Sequence, residues 1–147
     1  MGALLSATLL IDSSAWARMW GDDLPDSRAG ELAEDFVGGR LAVCLPFLLE
    51  AGFSVRGKED HAALVDELTA LANFPIDAEV ERRAFAAQAQ LARIGHHRVP
   101  PSDVILAAIA DRHDVGVLHY DKDFDVLLER TGLDFHSEWL MPRGSLN

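Results

Sequence analysis

Short apolar runs alternate with segments of helical period along this chain, and that alternation restricts it to an α/β fold built on a largely parallel sheet. Thr8-Leu9-Leu10-Ile11 reads as a buried strand ended by Asp12. Ser13 or Ser14 is placed to cap a short helix from Ala15 towards Trp20, and Ser27 to cap a second helix carrying Leu32, Phe36 and Val37, stopped by Gly38-Gly39. Leu41 to Cys44 is the second strand. Pro46 suits the first turn of a helix over 47–55, followed by another over 61–71. Phe74-Pro75-Ile76 fits a short edge strand, since proline removes a ladder donor.

Asp77 caps the longest predicted helix, 78–94, with Val80, Ala84, Phe85, Ala87, Leu91 and Ile94 on its apolar side. A helix over 103–112, a strand over 115–119, a helix over 124–130 and a strand over 133–135 complete the pattern. The order is β-α-α-β-α-α-β-α-α-β-α-β, which predicts a three-layer α/β/α domain. At 147 residues, with no repeat or linker, residues 1–147 are expected to form one domain, 141–147 being a loose tail. That tail, Met141-Pro142-Arg143-Gly144-Ser145, also resembles a protease-site remnant.

Acidic residues stand where several of these segments stop or start: Asp12, Glu50, Asp103 and the Asp121/Asp123 pair. In a parallel sheet, the carboxyl ends of the strands and the helices beyond them share one crevice. Carboxylates gathered there repel one another unless a hard divalent cation lies between them. A metal beside an open cleft in turn suggests phosphodiester hydrolysis.

Each acid also has a plainer account. Asp12 suits a helix N-cap. Asp103 suits the positive end of a helix dipole, which equally keeps it ionised for a cation. Glu50 is harder to explain, because Leu45 to Phe53 is otherwise apolar and glutamate is rarely buried without a partner. Asp123 is expected to cap the helix starting at Phe124, leaving Asp121 to face the crevice with Asp123 as a second or water-mediated ligand. Asp125 is expected to be solvated.

The residues carrying these acids resemble a family. Leu10-Ile11-Asp12-Ser13-Ser14-Ala15-Trp16 is similar to the opening motif of PIN domains, and Pro46-Phe47-Leu48-Leu49-Glu50 to their second acidic motif. Pro101-Ser102-Asp103-Val104-Ile105-Leu106-Ala107-Ala108 resembles the third, and Leu118-His119-Tyr120-Asp121-Lys122-Asp123-Phe124-Asp125 the fourth. Size and motif wording resemble the VapC toxins of type II toxin–antitoxin pairs. That resemblance implies a Mg²⁺- or Mn²⁺-dependent endoribonuclease binding one or two ions, held in check by a VapB-type antitoxin and commonly a homodimer. It carries Asp12, Glu50, Asp103 and Asp121 over as metal-site acids, with Asp123 close by and Ser14 as the hydroxyl beside the first acid. Attack by water needs no ribose 2′-hydroxyl, so 5′-phosphate and 3′-hydroxyl ends are expected.

The formal charge of −11 sits awkwardly with a polyanionic substrate and favours a basic protein partner. Positive or titratable charge does concentrate in Arg93, His96, His97 and Arg98, just before Asp103. Contact with an RNA backbone and a solvated helix end are both open for this segment, with the balance towards the latter. Two adjacent histidines have no convincing metal-ligand spacing, and no Cys/His zinc pattern exists. His113 and His119 read as packed or surface residues, and Trp16 and Trp20 as core or interface anchors.

The lone Cys44, in an apolar run, reads as a buried thiol and fits a reducing, cytoplasmic setting. No apolar stretch reaches the ~18 residues that span a bilayer, and the N-terminus lacks the basic region of a signal peptide. Two rival readings remain. One is a phosphatase with Asp12 as nucleophile, which usually needs a second acid where Ser14 stands and a phosphate-neutralising lysine, in a chain whose lysines are Lys58 and Lys122 alone. The other is a catalytically silent RNA- or protein-binding module.

Overall fold

In the computed structural model, which describes residues 8–96 and 98–146, five strands form one sheet in the order β3-β2-β1-β4-β5. All four neighbouring pairs are parallel. The strands are β1 (Leu9–Ile11), β2 (Leu41–Val43), β3 (Ala72–Asn73), β4 (Gly116–His119) and β5 (Ser137–Trp139). Among the described residues, seven helices flank them: α1 (Ser13–Met19), α2 (Asp26–Val37), α3 (Leu45–Ser54), α4 (Gly57–Leu68), α5 (Ala78–Arg93), α6 (Pro101–His113) and α7 (Asp123–Arg130). The α/β/α layering and the element order are those read from the sequence.

This strand order sets where a site can form. The chain starts in the middle of the sheet, winds outward through β2 and β3, then crosses back to β4 beside β1 and continues to β5. Connections leaving β1 and β4 therefore diverge, and a crevice opens between their carboxyl ends. Asp12 follows β1 and Asp121 follows β4. Their strands are tied at that point, since the Asp12 N–H donates to Leu118 O at 2.9 Å.

Leu10, Ile11, Leu41, Val43, Val117 and Leu118 are fully buried, as strands covered on both faces must be. Helix α6 is almost as deep, with Val104, Leu106, Ala107, Ala108, Ile109 and Ala110 all buried. Its small alanines let it lie close to the sheet. Gly116 has the same cause: a Cβ there would stand 2.7 Å from Leu9 Cδ2 and 2.9 Å from His136 O. Gly39 follows α2 at φ 73°, the left-handed conformation that ends helices.

Several boundaries differ from expectation. The third strand is Ala72–Asn73, and Phe74-Pro75-Ile76 follows it, with only the Phe74 N–H continuing the ladder to Val43 O. The last strand is Ser137–Trp139 rather than Leu133 to Phe135. Leu133 and Phe135 are buried, but they fill the core from a loop while the polar segment beyond them pairs with β4. Helix α4 begins at Gly57, a turn earlier than predicted, and α2 is preceded by Pro25 with no side-chain cap from Ser27. On α5, Val80, Ala87 and Leu91 are buried, whereas Phe85 and, just past its end, Ile94 are exposed.

The expected loose tail is anchored instead. Tyr120 Oη accepts the Leu146 N–H at 2.6 Å and donates to Leu146 O at 3.1 Å, and Leu140 is buried. Among the described residues, no helix is long and apolar enough to cross a membrane.

Candidate metal centre

Asp12, Glu50, Asp103 and Asp121 line one cleft of about 450 Å³ at the crevice between β1 and β4, together with Ser13, Ser14 and Trp16. Asp12 arrives as the N-cap of α1: its Oδ2 accepts the Ser14 N–H at 3.0 Å and the Ser14 hydroxyl at 2.5 Å. Ser14 Oγ in turn accepts the Tyr120 N–H at 2.9 Å. One hydroxyl thus joins the acid after β1 to the backbone after β4. The capping account of Asp12 and its place in the cleft are both true.

Glu50 arrives on α3, whose inner face is Phe47 and Ala51. Phe47 packs edge-on against Trp16 of α1 with ring centroids 5.8 Å apart, which holds the two helices together. Contrary to the burial argument from sequence, Glu50 is exposed. Its neighbours misled because Leu45, Leu49 and Phe53 are themselves exposed, so the apolar run is not a buried one. Ser13 Oγ donates to Glu50 Oε2 at 2.7 Å and holds that carboxylate at the rim.

Asp103 occupies the first turn of α6 and is 6 % exposed. Its Oδ2 is buried without a hydrogen-bond partner, although buried carboxylate oxygens are normally satisfied. Burial, and then the charges of Asp12, Asp121, Asp123 and Glu50, push this carboxyl up to about 8. Burial likewise lifts Asp12 above the usual carboxylate range, against the lowering effect of the Ser14 bonds. Asp123 is raised by burial and by the adjacent Asp121 charge.

Carboxylate oxygens of Asp103, Asp121 and Asp123 all lie within 4.8 Å of one another. The roles within the last pair differ from the sequence reading. Asp121 Oδ1 accepts the Asp123 N–H at 2.9 Å, so Asp121 organises the turn into α7, and Asp123 is the first helical residue rather than its cap. Three crowded carboxylates, one of them buried with an unpartnered oxygen, match the hard donor set that Mg²⁺ and Mn²⁺ prefer.

A supporting network was not anticipated. His119 is fully buried at the end of β4, and its Nδ1 accepts the Asp121 N–H at 3.1 Å. A ring nitrogen that accepts must be unprotonated, so the proton sits on Nε2, 2.7 Å from Ser137 Oγ. Ser137 then donates to Asp125 Oδ1 at 3.0 Å, and Trp139 Nε1 donates to Asp125 Oδ2 at 2.9 Å. Asp125, expected in solvent, is therefore fully engaged. Burial pulls the His119 imidazole down to about 4 and keeps it neutral. The available signal was a histidine in an apolar strand, which needs polar partners when buried.

Arg93, His96 and Arg98 are exposed around the turn between α5 and α6; His97 lies outside the described residues. His113 packs on Phe74 at 4.9 Å between ring centroids. Trp16 is half-buried, whereas Trp20 is 61 % exposed. Cys44 is buried, and burial pushes its thiol up to about 12, leaving it chemically quiet.

The PIN domain profile matches residues 9–127. The chain belongs to the PIN-domain family. Among its relatives, ribonuclease VapC18 of Mycobacterium tuberculosis is 34% identical over 139 residues, covering 92% of this chain and 97% of the relative. Ribonuclease VapC21 of the same organism is 37% identical over 109 residues, covering 73% and 78%. The fold is also that of a chain in the crystal structure of DNA-bound VapBC from Salmonella typhimurium: TM-score 0.69, 17% identity, covering 91% of this chain and 98% of that one. This PIN domain is thus of the VapC type.

Proposed function

We propose that this chain is a Mg²⁺- or Mn²⁺-dependent endoribonuclease, the toxin of a VapBC-type toxin–antitoxin pair, acting as one domain in the cytoplasm. The observation that carries the reading is the buried Asp103, whose Oδ2 has no hydrogen-bond partner and whose carboxylate lies within reach of Asp121 and Asp123. Asp12, Glu50, Asp103 and Asp121, with Asp123 beside them, would hold one or two ions. Such an ion, when bound, supplies positive charge for a phosphoryl oxygen and makes water a better nucleophile at neutral pH.

The protein's own part is preorganisation. Ser14 fixes the rotamer of Asp12, Ser13 restrains Glu50, and His119 holds the backbone of Asp121. A water nucleophile leaves 5′-phosphate and 3′-hydroxyl ends. Ribonuclease relatives covering most of the chain favour RNA as substrate. Incubating RNA with the protein and Mg²⁺ or Mn²⁺, then mapping the new 5′ ends, tests this. Cleavage should cease with a chelator and in Asp103→Asn. Cleavage unaffected by either would end the proposal.

A VapB-type antitoxin as partner is supported by the VapBC assemblies among the structural relatives and by the acidic net charge, which suits a basic segment. An antitoxin arginine could pair with the cleft carboxylates in competition with metal. Leu45, Leu49 and Phe53, exposed along α3 beside Glu50, offer the apolar strip for such a segment. Co-expression with the adjacent upstream reading frame should yield a copurifying complex that Leu49→Asp disrupts. A homodimer completes the reading, and sedimentation of the isolated protein tests it.

A further inference from the structure

A second cavity, of about 440 Å³, adjoins the acidic cleft on the Asp123 side. Three separate segments supply its cations: Arg98 from the turn between α5 and α6, where His96 also lines it, Lys122 from the turn after β4, and Arg143 from the C-terminal segment. Asp123 lines it as well, and so belongs to both the acid cluster and this cavity. We propose that this cavity is the RNA-backbone subsite, in which Arg98, Lys122 and Arg143 hold the phosphates next to the one being cleaved; this rests on the nuclease reading.

Placement favours it. Arg28, Arg40, Arg82, Arg83 and Arg112 stand in ion pairs with neighbouring acids. Among the described residues, Arg98, Lys122 and Arg143 share with several other cations the lack of a carboxylate within salt-bridge distance, but these three are brought together in one cavity, which Asp123, Asp125 and Glu129 also line. Both Asp125 oxygens are held by bonds from Ser137 and Trp139, which turn this carboxylate towards β5. Three cations outside any ion pair, converging on one concavity beside the acid cluster, are placed to meet successive phosphates of a polyanion. Arg143 is not left to chance, since the Tyr120 contacts with Leu146 fix the segment that carries it.

Binding and chemistry separate in the test. Asp103→Asn serves as cleavage-dead parent, and fluorescence anisotropy with a labelled single-stranded RNA in Mg²⁺ measures affinity across a salt series. Adding Arg98→Ala, Lys122→Ala and Arg143→Ala should weaken binding at least tenfold at low salt and lower the slope of log K against log salt by about 2, roughly 0.7 for each lost phosphate contact on a single strand. The charge-matched control Arg40→Ala, Lys58→Ala, Arg82→Ala should leave the slope unchanged. In the Asp103-intact protein the same triple change should raise KM more than it lowers kcat. Equal affinity and slope in triple variant and control, or no RNA binding by the parent, overturns the proposal. So does unchanged RNA binding with loss of antitoxin copurification, which assigns the cations to the antitoxin. If the parent binds RNA through these cations but the intact protein cuts none, the nuclease reading fails and takes the place beside a cleaved phosphate with it, while RNA binding by these cations stands.

Discussion

His119 Nδ1 accepts the backbone N–H of Asp121 at 3.1 Å, so a buried neutral imidazole sets the course of the chain that delivers a carboxylate to the cleft. The other face of that ring is committed to Ser137 and through it to Asp125. His119→Ala leaves the Asp121 N–H without its acceptor, strips Ser137 Oγ of the ring contact and opens a cavity beside Phe124 and Trp139, at a cost of about 3 kcal/mol. Urea unfolding should show that loss. RNA cleavage under folding conditions should drop by about 10- to 100-fold, the range for residues that orient metal ligands. An unchanged cleavage rate in folded His119→Ala would deny it any positioning role.

The same residue gives the fold an acid limit. An unfolded chain protonates its histidine near 6.5, while burial holds the folded value near 4. As pH falls between these values, the unfolded state takes up the proton first, so stability present above 6.5 is lost progressively towards 4. His119→Asn should flatten that part of the stability–pH curve.

Asp103 acts with the opposite sign. Its folded value, about 8, lies above the ordinary 3.8, so the folded chain holds a proton that the unfolded chain has released. The Asp103 contribution to stability is therefore greatest below about 4 and declines as pH rises towards 8. Compared with the metal-free parent, metal-free Asp103→Asn should be equally stable near pH 4 and distinctly more stable at pH 8. Added Mg²⁺ should raise the parent's melting temperature more at pH 8 than at pH 6, since binding requires the ionised carboxylates. A constant difference between the two proteins across pH would contradict the assignment.

Ser14→Ala removes the hydroxyl that bonds Asp12 and receives the Tyr120 N–H. Fluorescence or calorimetric titration should find Mg²⁺ affinity reduced by about 10- to 100-fold. Ser14→Thr, which keeps the hydroxyl, should recover most of it.

Gly116→Ala tests the close packing of β4 between β1 and β5. The added carbon meets Leu9 Cδ2 and the immovable His136 carbonyl, so overpacking of about 1–3 kcal/mol is expected in thermal unfolding. Val115→Ala, just outside the strand, is a size-reducing comparison for the same measurement.

The element order was legible because the two hydrophobic periods carry it directly: Leu9 to Ile11 and Val117 to Leu118 can only be buried strands, and α6 only a buried helix. Boundaries failed where polarity and pairing part company. Leu133 and Phe135 reach the core without a ladder, while Ser137 and Glu138 pair with β4 through their backbones, which have no sequence signature. Glu50 was assigned to the cleft for a reason the fold does not honour. It reaches the rim from an exposed face of α3, and its apolar neighbours stand in solvent with it.

By itself, the amino-acid order determined the alternation of layers, the acids that end β1 and begin α6 and α7, and the surplus negative charge. Side-chain period and local capping are properties of neighbours in the chain, and neighbours are what a sequence displays. Tertiary structure alone decided that β4 lies beside β1, and with it everything that depends on contact across that seam. The Ser14 bridge to Tyr120, the His119 bond to Ser137, and the gathering of Arg98, Lys122 and Arg143 all join segments far apart in the chain. Electrostatics and hydrogen bonding act over a few ångströms of space, so their outcome is set only when the sheet order brings those segments together.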